Sequence, residues 1–181
     1  MTIPNLLTIF RIVLIPFFCF FIFDLKTYGV YKSAHPDSLL IAGIIFSVAA
    51  ITDFFDGYLA RKWNQTSNLG KLLDPLADKL LITAALIGLV EWQFIAGWTV
   101  VVILSREFII TALRGMLADI GVKPMGASRL GKIKTILQIT AVIAFLFDLR
   151  WVGGYIYDLA LIFTIISGVD YMWKSKQYLK F

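Results

Sequence analysis

The sequence predicts an all-α polytopic membrane protein: six transmembrane helices around a polar cavity open to the cytoplasmic side, forming one domain over residues 1–181. Three observations predict it. Hydrophobic residues make up 59 % of the chain and charged residues 16 %, where soluble domains run nearer half and a quarter. Mean hydropathy is +0.82. The apolar residues also gather into six stretches, each close to the roughly 20 residues that cross a bilayer. This composition excludes a disordered chain, a collagen-like chain and a soluble enzyme, because a soluble domain of this size has no interior large enough for so much apolar surface.

The six stretches are roughly 3–24, 38–61, 70–91, 94–118, 129–149 and 153–173. The first has little room for a basic n-region and no small-residue cleavage site after Phe23, so it reads as a retained helix and not as a signal peptide. Its one cysteine, Cys19, has no internal disulfide partner and reads as a small apolar residue. Short linkers make neighbouring helices antiparallel, and the long fourth stretch is expected to project into water at its end. Sorting the cations by linker places Arg61, Lys62, Lys71, Arg114, Lys123, Arg129, Lys132, Lys134, Lys174, Lys176 and Lys180 on one side and Lys26, Lys32 and Arg150 on the other. The positive-inside rule then puts both termini in the cytoplasm of a bacterial-type plasma membrane. The net charge of +5 is read as orientation and as attraction to anionic head groups or phosphates, with no nucleic acid as partner.

The acids sit in unusual places. Asp53 and Asp56 lie inside the second stretch, three residues apart; Asp74 and Asp78 lie inside the third, four apart. Each pair shares a helix face. With a rise of 1.5 Å per residue, Asp53 lies about 12 Å from the end of its helix near Arg61, and Asp78 about 12 Å from the start of the next near Gly70. All four therefore reach a similar depth in the cytoplasmic half. An Asp at a helix centre costs about 2.5–3.5 kcal/mol to insert, so four of them need a neutralising partner. Hard divalent cations are one; a proton or ion pathway and interhelical salt bridges are the others. Gly57 and Ala60 leave room beside Asp56 for a helix or a flat ligand. Gly70 suits a turn or a close approach, and Arg61 is either a flanking charge or a phosphate clamp.

Written out, Asp53-Phe-Phe-Asp56-Gly57-Tyr-Leu-Ala60-Arg61, then eight residues to Gly70, three to Asp74 and three to Asp78, this segment resembles the signature of the CDP-alcohol phosphotransferases at every fixed position. The chain length and the six stretches are similar to that family throughout. The resemblance implies two divalent metal ions, Mg2+ or Mn2+, that hold the diphosphate of a CDP-linked lipid. An alcohol attacks the β-phosphorus and CMP leaves. Asp53, Asp56, Asp74 and Asp78 would surround the metals, and Asp78 would be the general base. Gly57, Ala60 and Gly70 would admit the nucleotide, with Arg61 on its phosphate. A homodimer is implied as well.

Other segments bear on the acceptor. The start Ile3-Pro4-Asn5-Leu-Leu-Thr8-Ile-Phe-Arg11 carries a polar stripe, Asn5, Thr8 and Arg11, on an apolar helix. It reads as a solvated helix start or, for Asn5 and Thr8, as part of the CDP-lipid site. Ser105-Arg106-Glu107-Phe108 sits inside the fourth stretch, where Arg106 and Glu107 are able to pair with each other. Glu107, Thr111 and Arg114 share a face. The fifth helix begins with the basic run Ser128-Arg129-Leu-Gly131-Lys132-Ile-Lys134. These stretches resemble the branch of the family whose acceptor is glycerol 3-phosphate, with CDP-diacylglycerol as donor. A dianionic acceptor needs cations beside the metals, for which Arg106, Arg114, Arg129, Lys132 and Lys134 are the candidates. Inositol phosphate, serine or another alcohol keeps the chemistry and changes the acceptor; a small proton-coupled transporter is the reading without catalysis. His35, Asp148 and Asp158 are read as solvated or interfacial, and Asp170 as a cap or ion-pair residue. Trp63, Trp92, Trp98, Trp151 and Trp173 read as interface anchors.

Overall fold

The structure is a computed structural model. It describes residues 3–23, 36–63, 68–122 and 129–178, without the side chains of 3–7, 36, 54–72, 74 and 75. His35 lies outside the described residues. Six helices follow one another: α1 (Ile3–Ile22), α2 (Pro36–Trp63), α3 (Asn68–Glu91), α4 (Gly97–Asp119), α5 (Arg129–Leu146) and α6 (Arg150–Lys176). No strand occurs among the described residues. α1 packs on α2 and α3, while α5 packs chiefly on α6, which also meets α4.

Three helices end in the same way. After α3, the amide of Phe94 donates to the Leu89 carbonyl and that of Gln93 to Val90. After α4, Val122 donates to Leu117 and Gly121 to Ala118; after α5, Leu149 donates to Ala144 and Asp148 to Phe145. Each is a Schellman closure, which needs one residue in the left-handed region. Those residues are Gln93 (φ 59°), Gly121 (φ 75°) and Asp148 (φ 60°). Only the glycine adopts this conformation without a steric penalty. These closures explain two differences from the expected boundaries. α4 starts at Gly97 and not near 94, and α5 stops at Leu146 and not near 149, because the intervening residues make the turns.

The core is apolar and aromatic: Phe18, Ile22, Phe46, Leu86, Leu89, Ile103, Val142, Phe145 and Tyr157 are buried together. The Phe145 ring stacks on Phe94 at 5.7 Å and meets Tyr157 edge-on at 6.4 Å. Trp92, expected as an interface anchor, also donates its indole N–H to the Ile22 carbonyl at 2.6 Å, tying the end of α1 to the α3–α4 turn. At Gly88 α3 leaves room for a side chain of α1: a Cβ there would stand 2.4 Å from Ile22 Cδ1.

The outer faces are apolar too. Phe17, Val101, Phe108, Ile136, Trp151 and Trp173 are all more than half exposed. Among the described residues, α6 is long and apolar enough to cross a membrane by itself, and Thr8–Ile22 is a shorter apolar stretch. α4 and α5 carry Arg106, Glu107, Arg114, Arg129, Lys132 and Lys134 within their length, which lowers their hydropathy.

Candidate active site

Arg11 organises the first half of the site. Its side chain has no exposure, and its Nη1 lies 2.6 Å from Asp53 Oδ1 and 2.7 Å from Asp78 Oδ1. One nitrogen thus ties α1 to α2 and α3. The two carboxylates are not themselves buried: their side chains are 42 % and 48 % exposed. Thr8, one turn before Arg11, is buried beside it. A buried guanidinium is tolerated only with such partners. Arg11 was legible as part of a polar stripe and was not assigned to the site; the overlooked signal is a cation well inside an apolar helix, which marks function by default.

The second half is built on α4, α5 and α6. Glu107 accepts from Arg106 Nη1 at 2.9 Å and from Lys134 Nζ, and Arg106 Nη2 donates to Ser167 Oγ at 2.9 Å. Gly168 makes that last contact feasible, since a Cβ there would stand 2.9 Å from Arg106 Cγ. The Arg114 guanidinium lies over the Tyr171 ring, 5.2 Å from its centroid. Among the described residues, the Arg114 Nε and the Tyr171 hydroxyl are buried and make no hydrogen bond. Lys79 Nζ donates to Thr111 Oγ at 2.7 Å, joining α3 to α4.

A cavity of about 130 Å³ connects the halves. It is lined by Arg11, Asp53, Asp78 and Lys79 from α1, α2 and α3, by Glu107, Lys134, Thr135 and Gln138 from α4 and α5, and by apolar residues that include Phe46 and Ile139. Of the five cations expected near an acceptor phosphate, Lys134 lines this cavity among the described residues. Arg106 turns to Glu107 and Ser167, Arg114 to Tyr171, and Arg129 and Lys132 are exposed. The side chains of Asn5, Asp56, Gly57, Ala60, Arg61, Gly70 and Asp74 lie outside the described residues; Asn5 belongs to α1, the next four to α2 or, for Gly70 and Asp74, to α3. Asp170 forms an ion pair with Lys174 at 2.8 Å, and Asp148 pairs with Arg150 at 2.6 Å.

Among the described residues no three His, Cys, Asp or Glu side chains come together. Asp53 and Asp78 do present two adjacent, half-open carboxylates, and their helices carry Asp56 and Asp74 about one turn away. Oxygen donors of this charge suit a hard divalent cation and not a soft one.

Comparison with known proteins identifies the family. The profile of the CDP-alcohol phosphatidyltransferase family matches residues 1–166. A Bacillus subtilis (strain 168) protein named CDP-diacylglycerol–glycerol-3-phosphate 3-phosphatidyltransferase is 45 % identical over 187 residues, covering 98 % of this chain and 96 % of the relative. Proteins of the same name from Haemophilus influenzae and Escherichia coli (strain K12) are 40 % and 38 % identical; they cover 98 % and 94 % of this chain, and the match spans 91 % and 92 % of their own lengths. With a profile match over most of its length and full-length relatives at this identity, the chain belongs to the CDP-alcohol phosphatidyltransferase family.

Proposed function

We propose that this protein transfers the phosphatidyl group of CDP-diacylglycerol to glycerol 3-phosphate, giving phosphatidylglycerophosphate and CMP. The observation that carries the reading is the cavity in which acids from α2 and α3 face a cation from α5, in a chain whose full-length relatives bear that activity's name. Phosphoryl transfer asks mainly for positioning and charge neutralisation, and the cavity holds groups of both signs. The apolar chains of the donor lie against the exposed apolar faces of the helices, with the diphosphate at Asp53, Asp56, Asp74 and Asp78. Asn5, Thr8, Gly57, Ala60, Arg61 and Gly70 are the remaining residues of the CDP-lipid site. Bound there, two Mg2+ or Mn2+ ions would neutralise the diphosphate and polarise the phosphorus under attack.

Asp78 accepts the proton of the glycerol 3-phosphate hydroxyl as its oxygen bonds to the β-phosphorus. The bond from that phosphorus to the bridging oxygen breaks, and CMP leaves with the electron pair. Lys134 takes the acceptor's phosphate, since of the five candidate cations it lines the cavity together with Asp53 and Asp78. Arg114 supports it, with a buried Nε that has no protein acceptor among the described residues. Arg129 and Lys132 draw the dianion toward the cavity from solvent.

The membrane is the proposed setting, with six spans, cytoplasmic termini and a homodimeric assembly. What supports the spans is the direction of the charges. Arg106, Glu107 and Lys134 turn toward one another, while Val101, Phe108, Ile109, Ile133 and Ile136 of the same helices are exposed.

The test supplies purified protein with CDP-diacylglycerol, Mg2+ and each alcohol in turn, and measures CMP. Release with glycerol 3-phosphate is expected. No CMP with any acceptor overturns the enzyme reading, and CMP with inositol phosphate alone overturns only the acceptor. Asp78→Asn is expected to abolish turnover and leave substantial CDP-lipid binding; parallel loss of both would make Asp78 a metal ligand and not the base.

A further inference from the structure

We infer that Arg11 is a built-in counter-cation of the acid pair, a positioning residue that competes with the divalent metal for Asp53 and Asp78. The inference rests on the metal site of the proposed function. Arg11 Nη1 donates toward Oδ1 of both acids, at 2.6 and 2.7 Å. A divalent cation drawn to the same carboxylates needs oxygen lone pairs that these hydrogen bonds engage, and it adds two positive charges beside a guanidinium that stays protonated. The guanidinium is fully buried while the carboxylates are half exposed. Metal therefore arrives from the cavity side and meets an arginine that cannot retreat into water without dragging α1. Removing the charge at position 11 therefore strengthens metal binding.

Linkage makes the effect reciprocal. If Arg11 weakens metal binding, metal weakens the hold of Arg11 on α2 and α3. The N-terminal helix, tied to both acids through Arg11, loosens as metal enters. The pair therefore keeps the site assembled when metal is absent and yields when it is present.

Mn2+ binding to the full chain in detergent, without substrate, tests this through the free-ion EPR signal. Arg11→Gln is expected to bind Mn2+ about tenfold more tightly than the unsubstituted protein, within the usual range of couplings between sites. Arg11→Lys, which keeps the charge, should stay within about threefold of it, since Lys presents a compact point charge in place of the fork. In the unsubstituted protein, amide exchange over residues 8–20 of α1 should quicken when Mn2+ is added, a measurement that needs no variant to fold. Equal or weaker Mn2+ binding by Arg11→Gln, or slower exchange in α1 with metal, overturns the inference and leaves the transferase reading standing. Absence of Mn2+ binding to every protein overturns the metal site itself, and the inference with it.

Discussion

Two arginine–aspartate contacts of equal length lie in different parts of this molecule. Arg11 meets Asp53 at 2.6 Å among α1, α2 and α3; Arg150 meets Asp148 at 2.6 Å in the turn between α5 and α6. The first arginine has no exposure, whereas the second pair is 61 % and 68 % exposed. Water makes the difference. At the turn both groups keep most of their hydration, and an exposed pair contributes about 0–1 kcal/mol. At Arg11 the hydration is gone, and the acids are what makes burial of the charge tolerable. Contact length does not rank these interactions; the loss of water does. The cluster of Glu107 with Arg106 and Lys134 lies between the two, with Lys134 almost fully buried and Glu107 a quarter exposed.

This ranking is open to attack in order of size. Arg11→Met, in metal-free detergent solution, leaves two adjacent carboxylates without their shared cation. Breaking a buried pair costs about 3–5 kcal/mol, and the half-open acids place the loss near about 3 kcal/mol; thermal unfolding measures it, and a loss under 1 kcal/mol would break the comparison. Glu107→Gln leaves Arg106 and Lys134 facing each other with no anion, and an expected loss of about 2 kcal/mol. Adding Lys134→Met should recover part of it, which a double-mutant cycle reads as coupling. Asp148→Gly relieves the left-handed strain at φ 60° and should raise stability by about 0.5–1 kcal/mol, even though it deletes an ion pair. Asp148→Asn, which removes the charge and keeps a residue that tolerates this conformation, should change stability by less than about 0.5 kcal/mol. If Asp148→Asn cost as much as Glu107→Gln, exposure would not be the ruling variable.

The sequence carried the helices well because their signal is local. Apolar stretches of bilayer length gave six elements, and four of the six helix starts fall within about two residues of their expected positions. Of the three-residue errors, those at the start of α4 and the end of α5 come from Gln93 and Asp148, while α6 runs three residues further than expected at each end. Glycine announces a left-handed closure, as Gly121 does; glutamine and aspartate do not. In the site, the shared level of Asp53 and Asp78 was legible because helical rise is fixed. The pairing of Arg106 with Glu107 was open to the reading as well; the partners that long side chains find on other helices were not. Arg106 also reaches Ser167 on α6, Lys134 reaches Glu107 on α4, and Arg11 reaches across to two other helices. Those choices depend on which helices become neighbours and how each is rotated, and spacing along one chain contains neither. Glu107 itself, the anion that gathers Arg106 and Lys134, was noted for its helical face without being given a place in the site.

The bridge at Arg11 also bears on how the protein is made. Arg11 precedes Asp78 by 67 residues. At about 5–20 residues per second, roughly 3–13 seconds separate synthesis of the guanidinium from that of its second carboxylate. Until α2 supplies Asp53, α1 is an apolar helix carrying one unmatched cation, and until α3 supplies Asp78 the match is only half made; such a charge is costly in lipid and settles at an interface or in a watery passage. On the membrane reading, α1 reaches its final depth only after α3 has emerged, so a helix translated before α2 and α3 is seated only after both.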